Sequence, residues 1–510
     1  MTGIAQGCAQ TIENEPYYDY IFRAATVIDG TGSAAKVQDV AVLADRIAAV
    51  GALWHAQAKQ DIDARGLILA PGFIDVHTHD DLVVIRQPQM QAKLSQGVTT
   101  VITGNCGISA APTLLQAPPP DPMNLLGTQA EFCYARFADY GRAVADAAPG
   151  VNVAALVGHT TLRNAVMSDL SQAASAAEIQ QMQQLLDAAL QQGAFGLSSG
   201  LAYHNAFAAP TTEIVAIGRN LATYGGIYTS HLRNEFADII PALAEAADIG
   251  MALQVPVVIS HLKCAGVANW GRATEVLDFI RQRGADQQLC CDCYPYAASS
   301  STLDLKQVTA DFDIFITWSE PCPQMAGQTL AAIAAQWQTS LEDAAARLMP
   351  AGAVYHGMAE ADVQQILQFP PTMVGSDGLP CDPHPHPRLW GSFPRVIGHY
   401  SRDQQLFSLP QAIHKMTGLS AANFQLPQRG VIAVGNFADL VLFDSEKIQD
   451  QADFLHPTRP AAGIHQVFVN GQLAYQPGVA QTTRSGRFLT RQTGLENEQP
   501  SKQPSKQQQE

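Results

Sequence analysis

The chain carries two textures of hydrophobic and polar positions. Near each end, short apolar runs are broken by turn residues. Between them, apolar strands alternate with amphipathic helices. Tyr20-Ile21-Phe22-Arg23, Val40-Ala41-Val42-Leu43 and the run 46–51 read as short β segments punctuated by Gly30, Gly32 and Gly51. The same texture returns at Val431-Ile432-Ala433-Val434, at Leu440-Val441-Leu442-Phe443 and at Val467-Phe468-Val469, which meets an Asn470-Gly471 hairpin signal. Two β-rich ends around a long middle predict one small β-sandwich domain from 18–70 and 425–482, preceded by an N-terminal arm over 1–17.

The middle alternates the two periodicities, as a parallel sheet wrapped by helices would. Helices are expected over 178–192, 212–224, 238–248 and 271–283. The first and last run into Gly193 and Gly284, which predicts glycine caps. Strands are expected over 73–79, 99–105, 152–158, 194–198, 226–231, 256–261, 288–293 and 372–376. Eight is the number that closes an α/β barrel, so 71–424 is expected to form a (β/α)8 TIM-like barrel. The stretch 303–370 falls between the seventh and eighth strands and carries Trp318, Pro321, Pro323 and Trp337. It is long for one crossover, which predicts an insertion acting as a lid or pocket wall. The tail 494–510, rich in Gln, Lys, Ser, Pro and Glu, is expected to be disordered.

Composition narrows the partners. With 47% hydrophobic and 15% charged residues the 510-residue chain is globular in composition, long enough for a barrel and a second domain. A formal net charge of -16 argues against nucleic acid or an anionic membrane as partner, since both repel an acidic surface. The first twenty residues show neither a basic start nor an apolar core, and no segment reaches the ~18 apolar residues of a membrane span. Nine cysteines in so long a chain do not suggest a disulfide framework. These features together predict a cytoplasmic protein with mostly buried thiols. Oligomeric state leaves no readable signal.

Candidate chemistry sits at the strand ends, where barrel active sites form. Pro71-Gly72-Phe73-Ile74-Asp75-Val76-His77-Thr78-His79 places two imidazoles on one strand face, able to chelate one divalent ion. The second strand ends in Gly104-Asn105-Cys106-Gly107, where Cys106 is either a buried structural thiol or a thiolate ligand. The fifth and sixth strands both end in Ser-His-Leu, at His231 and His261. Two such histidines about thirty residues apart fit adjacent strands offering ligands to one metal. The eighth ends in Gly375-Ser376-Asp377-Gly378, where Asp377 is either a turn residue or a carboxylate that takes a proton from metal-activated water. Cys290, Cys291 and Cys293 alternate faces within a strand and are expected to pack in the core, and His384 and His386 are expected in an extended proline-rich loop. His159 is open between a supporting and a structural role.

Together these motifs resemble the amidohydrolase superfamily, and within it the D-aminoacylases (N-acyl-D-amino-acid deacylases), over residues 18–480. Gly158-His159-Thr160-Thr161-Leu162-Arg163, Tyr294-Pro295-Tyr296, Ser319-Glu320-Pro321 and His386-Pro387-Arg388-Leu389-Trp390-Gly391 also match. Cys106, where many relatives of the superfamily use a modified lysine, is the more specific mark. The resemblance implies a tight zinc on Cys106, His231 and His261, and a weaker second site at His77, His79 and Asp377 with Cys106 able to bridge. It implies Asp377 as general acid/base and a linear N-acyl-D-amino acid as the small-molecule substrate. Lys263, Tyr203, Tyr294, Ser300 and Arg388 match positions around the substrate, and Met358 matches one lining the side-chain pocket. Two departures touch substrate preference: Leu262 stands where the family usually has a second His, and His204-Asn205 where prolines usually follow the tyrosine. Two alternatives stay open, a cyclic amidase of the hydantoinase or dihydroorotase kind, and a deacylase selective for N-acyl-D-glutamate or N-acyl-D-aspartate.

Overall fold

The computed structural model describes residues 17–480 and 483–491. Residues 1–16 of the expected arm and the expected disordered tail, 494–510, lie outside the described residues.

Strand and helix formation follow the two textures. Eight parallel strands occupy the middle: Phe73–Asp75, Val98–Thr103, Asn152–Ala155 continued by Val157–Gly158, Gly196–Gly200, Ile227–His231, Val257–Ile259, Leu289–Cys293 and Thr372–Val374. The first three pair with one another, and Val157–Gly158 through Thr372–Val374 form a continuous six-strand run. The third strand spans the junction, and a Thr78–Gly378 bridge joins the eighth to the first, closing the ring. Their residues are buried on both faces, which is why these strands are apolar runs without alternation. The ladders stop short of several expected ends. The reason is local: Cys106, His261 and Asp377 all adopt positive φ (54°, 36° and 49°), turning the chain off the sheet at the rim.

The outer helices include Ala176–Gln191, Thr211–Gly218, Ile239–Leu253 and Ala273–Arg283. Ser175 and Glu178 form a capping box at the start of the first. Gly193 follows its end at φ +98°, as a glycine cap requires. Gly284 differs, staying right-handed at φ −65°.

Both chain ends contribute to one further sheet. Its strands run in the order Gln472–Tyr475, Ile464–Val469, Leu440–Phe443, Ile68–Pro71, Tyr17–Val27, Lys36–Leu43 and Arg46–Gly51, with Gln57–Asp63 paired in parallel to Tyr17–Val27. The sheet packs around Phe22, Val40, Leu69, Leu440 and Phe468. Asn470 and Gly471 both take positive φ in the hairpin between Ile464–Val469 and Gln472–Tyr475. Asn470 also ties this sheet to the barrel base: its Nδ2 donates to Asn152 Oδ1 at 2.8 Å, and its backbone N–H to Asp439 Oδ1 at 2.8 Å.

A third sheet interrupts the barrel after the seventh strand. Ser299–Thr302, Ala351–Tyr355 and Ile314–Ser319 pair antiparallel and pack with the helices Leu330–Trp337 and Leu341–Leu348 around Ile316, Ile333, Leu348 and Ala353. This unit begins at Ser299, earlier than 303, and ends at Tyr355. Glu360–Gln368, within the expected insertion, instead lies against the barrel helix Ala273–Arg283, because Val363, Ile366 and Leu367 give it an apolar face. Residues 483–491 return to the barrel base, where Phe488 packs on Phe137 and Tyr140.

A buried charge cluster fastens the helix His159–Val166 to Thr211–Gly218. Glu213 accepts from His159 Nε2 at 2.9 Å, from Arg163 and from the Ala174 N–H at 3.0 Å. Burial alone would push the Glu213 carboxyl up, but the hydrogen bond from His159, then the Ala174 N–H and Arg163, hold it down at about 2. A carboxylate depressed in the folded state stabilises above its ordinary pKa of 4.5, and that contribution is lost as pH falls through about 2. Denaturant titrations from pH 7 to pH 2 should show stability falling within the window between those values, and Glu213→Gln should remove on the order of 2 kcal/mol of that fall. An unchanged pH profile in the variant would contradict the assignment.

Candidate metal centre and active site

The six rim residues converge from five strand ends, the first, second, fifth, sixth and eighth. Gly104 and Gly375 make this possible. A Cβ at Gly104 (φ +76°) would stand 2.2 Å from Leu156 O, and one at Gly375 would stand 2.5 Å from His77 Cβ, so the second and eighth strands end against their neighbours only as glycine.

The donor atoms of His77, Cys106, His261 and Asp377 all lie within 4.8 Å of one another. Cys106 Sγ is 3.2 Å from His77 Nε2 and 3.2 Å from His261 Nε2. His79 Nε2 is 3.2 Å from Asp377 Oδ1, and His77 Nε2 is 3.5 Å from the same oxygen. His231 joins from the fifth strand, its ring 4.4 Å from that of His261. His231, Glu235 and His261 form a second group of donors within 4.8 Å. All six expected residues thus meet at one rim.

Electrostatics bind the group together. Burial would raise the Cys106 thiol, but the charges of His77 and His261 outweigh it and hold the thiol well below its usual value. Burial would lower His79, yet hydrogen bonds with Asp377 and Cys106 raise it to about 9. For His261, burial and the Lys263 charge lower it, but Cys106, Glu235 and Asp377 raise it to about 9. Asp377 would be raised by burial but is held well below the carboxylate range by Arg388 first, then by His261, His79 and His77.

The surrounding side chains fix orientation. Asp292 reaches His77 Nδ1 at 3.3 Å and accepts from the His261 N–H at 2.9 Å. Glu235 lies 3.1 Å from His261 Nδ1 and accepts from Lys263 Nζ at 2.6 Å. Behind the first strand, the buried Lys93 donates to Asp75 at 2.8 Å and to Ser376 Oγ at 2.9 Å, while Asp75 accepts from the Ser376 N–H at 2.8 Å. Sequence reasoning singles out Lys263, as a residue around the substrate, but not Asp292, Glu235, Lys93 or Asp75. His231 and Glu235 do stand at i, i+4, and Asp292 points inward from the seventh strand, but neither carries a rim motif of its own.

The expected substrate residues divide. Arg388 is fully buried, stacks on the Tyr294 ring at 4.6 Å, donates from Nη2 to Ser300 O at 3.1 Å, and sets Nη1 2.8 Å from Asp377 Oδ2. Its Nε and the Ser300 Oγ are buried without hydrogen-bond partners. Tyr203 OH lies 3.3 Å from His231 Nδ1, and Tyr294 OH donates to Met358 Sδ at 3.6 Å. Lys263 faces Glu235 and His261 Nδ1 (2.7 Å), so its charge is already balanced. Cys290, Cys291 and Cys293 are buried in the seventh strand, and His386 packs on Tyr296 and Phe454. His159 belongs to the Glu213 cluster.

A family model, the amidohydrolase family, matches residues 60–239 and 324–475. The chain is 48% identical to a D-aminoacylase of Alcaligenes xylosoxydans xylosoxydans over 94% of its own length and 99% of that protein. It is also 48% identical to an N-acyl-D-aspartate deacylase of the same organism, over 94% and 96%. Among solved structures, the N-acyl-D-glutamate deacylase of Bordetella bronchiseptica, complexed with zinc and a phosphonate inhibitor, is similar with a TM-score of 0.90 at 43% identity, covering 93% of this chain and 100% of that one. With near-complete coverage at this identity, the chain belongs to the amidohydrolase family, in the group of the D-aminoacylases and related N-acyl-D-amino-acid deacylases.

Proposed function

We propose that this chain is a zinc-dependent hydrolase that cleaves N-acyl-D-amino acids to a carboxylate and a free D-amino acid. The observation that carries this reading is the convergence of one thiolate, several imidazoles and one carboxylate at the barrel rim, in a chain 48% identical to a D-aminoacylase along nearly its whole length.

The donor set fits zinc, which favours thiolate and imidazole in closed or nearly closed sites. Cys106, His231 and His261 are the proposed tight ligands. His77, His79 and Asp377 form the proposed weaker site, with Cys106 shared. His79 turns its Nε2 toward that site, 3.2 Å from Asp377 Oδ1. When bound, zinc supplies the Lewis acidity that acidifies water and polarises an amide carbonyl.

The chain's own residues supply the proton traffic and positioning. Asp377 takes the proton of the attacking water and returns it to the leaving nitrogen, so one carboxylate serves both halves of the reaction. With the weaker site empty, His77 and His79 would donate from Nε2 toward the oxygen that gains charge as the carbonyl becomes tetrahedral. Arg388 anchors the α-carboxylate of the substrate; its buried, unpartnered Nε supports this, since a buried guanidinium donor without an acceptor is costly. Lys263 serves through Glu235 and His261, orienting the ligand ring. Tyr203, Tyr294, Ser300 and Met358 form the proposed walls. The cyclic-amidase alternative expects a bridging lysine where Cys106 stands, which disfavours it. The protein is proposed to act in the cytoplasm.

Three outcomes follow. Asp377→Asn should keep zinc in the tight site by elemental analysis and lower kcat by ~10²–10⁴-fold, the range of a lost general acid/base; near-normal turnover would remove Asp377 from that role. Cys106→Ala should lose most bound zinc on dialysis, and a variant retaining full zinc contradicts the ligand assignment. A panel of N-acetyl-D-amino acids with L controls should favour D-leucine and D-methionine derivatives, because Met358 and Tyr294 offer an apolar wall without a free cation. Strong preference for D-aspartate or D-glutamate derivatives would place the chain with the acidic-selective relatives instead.

A further inference from the structure

The backbone of Arg388 is pinned by a side chain outside the metal cage, that of His386. The imidazole is buried. Its Nδ1 accepts the Arg388 backbone N–H at 2.9 Å, and its Nε2 lies 3.1 Å from Ala298 O. A backbone N–H only donates and a carbonyl only accepts. The ring therefore satisfies both partners in a single form, neutral with its proton on Nε2. Burial, then the charges of Arg388 and His356, push the imidazole well below its ordinary pKa and so favour that form.

Both partners bear on the guanidinium. Arg388 opens the helix Arg388–Arg395, so its N–H has no acceptor within that helix, and Pro387 before it makes no side-chain cap. The imidazole supplies the missing acceptor. Ala298 stands two residues before Ser300, whose carbonyl accepts from Arg388 Nη2 at 3.1 Å. One short segment, 298–300, thus holds Arg388 twice, at the backbone through His386 and at the tip directly. Tyr296 and Phe454 pack edge to face on the imidazole, with ring centroids 5.2 and 5.0 Å away, and restrict its rotation. Arg388 Nη1 is left pointing at Asp377, 2.8 Å from Oδ2. A shift in the first turn of the helix would move the guanidinium off that line, and small misplacements of a positioning group are costly to an enzyme.

We infer that His386 is a positioning residue for the proposed reaction: by bridging the Arg388 N–H and Ala298 O, it sets the guanidinium where the α-carboxylate of the substrate binds. The inference rests on the reading of Arg388 as the carboxylate anchor. His386 acts through Arg388 and carries no proton of the reaction.

Steady-state kinetics of the full-length, zinc-loaded protein with N-acetyl-D-leucine test this in a double-mutant cycle of His386 and Arg388. His386→Phe keeps a ring between Tyr296 and Phe454 but has neither nitrogen. It should raise KM roughly 10-fold, the effect of one buried donor left unpaired, with a smaller change in kcat. His386→Asn puts Oδ1 in the place of Nδ1, keeps an acceptor for the Arg388 N–H, and should recover part of the KM. In an Arg388→Ala background, His386→Phe should lower kcat/KM no further. If His386→Phe does not fold, His386→Gln, which reaches Ala298 but moves its acceptor away from the Arg388 N–H, should show the same rise in KM. A parental KM in the Phe or Gln variant, no recovery in His386→Asn, or losses in kcat/KM that multiply in the double variant would overturn the role of His386 and leave the anchor reading standing. A parental KM in Arg388→Ala would instead sink the anchor reading, and this inference with it.

Discussion

The Cys106 sulfur, 3.2 Å from an imidazole nitrogen on either side, is the contact on which the rim depends. It lies between His77 and His261 and touches both groups of donors, with His77, His79 and Asp377 on one side and His231 and His261 on the other. A serine there would keep the spacing and lose the soft, easily ionised ligand. A lysine would need far more room than the turn between Gly104 and Gly107 provides.

Holding the sulfur in place is costly to the backbone. Cys106, His261 and Asp377 all sit at positive φ, a conformation that costs non-glycine residues of order 1–3 kcal/mol each. The barrel beneath supports that strain. Gly104 passes against Leu156, Asp292 grips both His77 and the His261 backbone, and Lys93 with Asp75 locks Ser376 beside Asp377. The cage also gathers two anions, Cys106 and Asp377, in a buried space. Protons on the imidazoles can balance them, and so can a divalent cation. The two compete, because a ligating imidazole must be neutral.

Much of this was legible in the chain because barrel strands buried on both faces are apolar runs, and their polar ends stand out against them. His77, His79, Cys106, His231, His261 and Asp377 each close such a run. Glu235, Asp292, Asp75 and Lys93 left no such mark. Asp292 sits inside Cys-Cys-Asp-Cys, where an inward carboxylate looks like one more strand residue, and Lys93 lies in a short helix whose amphipathic pattern says nothing of a buried ion pair. Their roles come from contacts across 18 to 301 residues of chain, which periodicity cannot register. The inserted sheet was misjudged at its edges for a related reason: Ser299–Thr302 is polar and half-buried, so it lacks a strand pattern, while Glu360–Gln368 looks continuous with the insertion although its apolar face belongs to the barrel.

The Arg388–Asp377 pair makes substrate arrival consequential. The guanidinium is first among the influences that keep Asp377 far below the carboxylate range. A carboxylate held that low is a poor base, since proton transfer is most effective when the pKa lies near working pH. In the proposed reaction the substrate's α-carboxylate takes up donors of the same guanidinium. Sharing Arg388 between two carboxylates weakens its hold on Asp377 and brings a second negative charge nearby, and both effects raise the affinity of Asp377 for a proton. On this proposed reading Arg388 restrains Asp377 until a molecule with a carboxylate at the right distance enters.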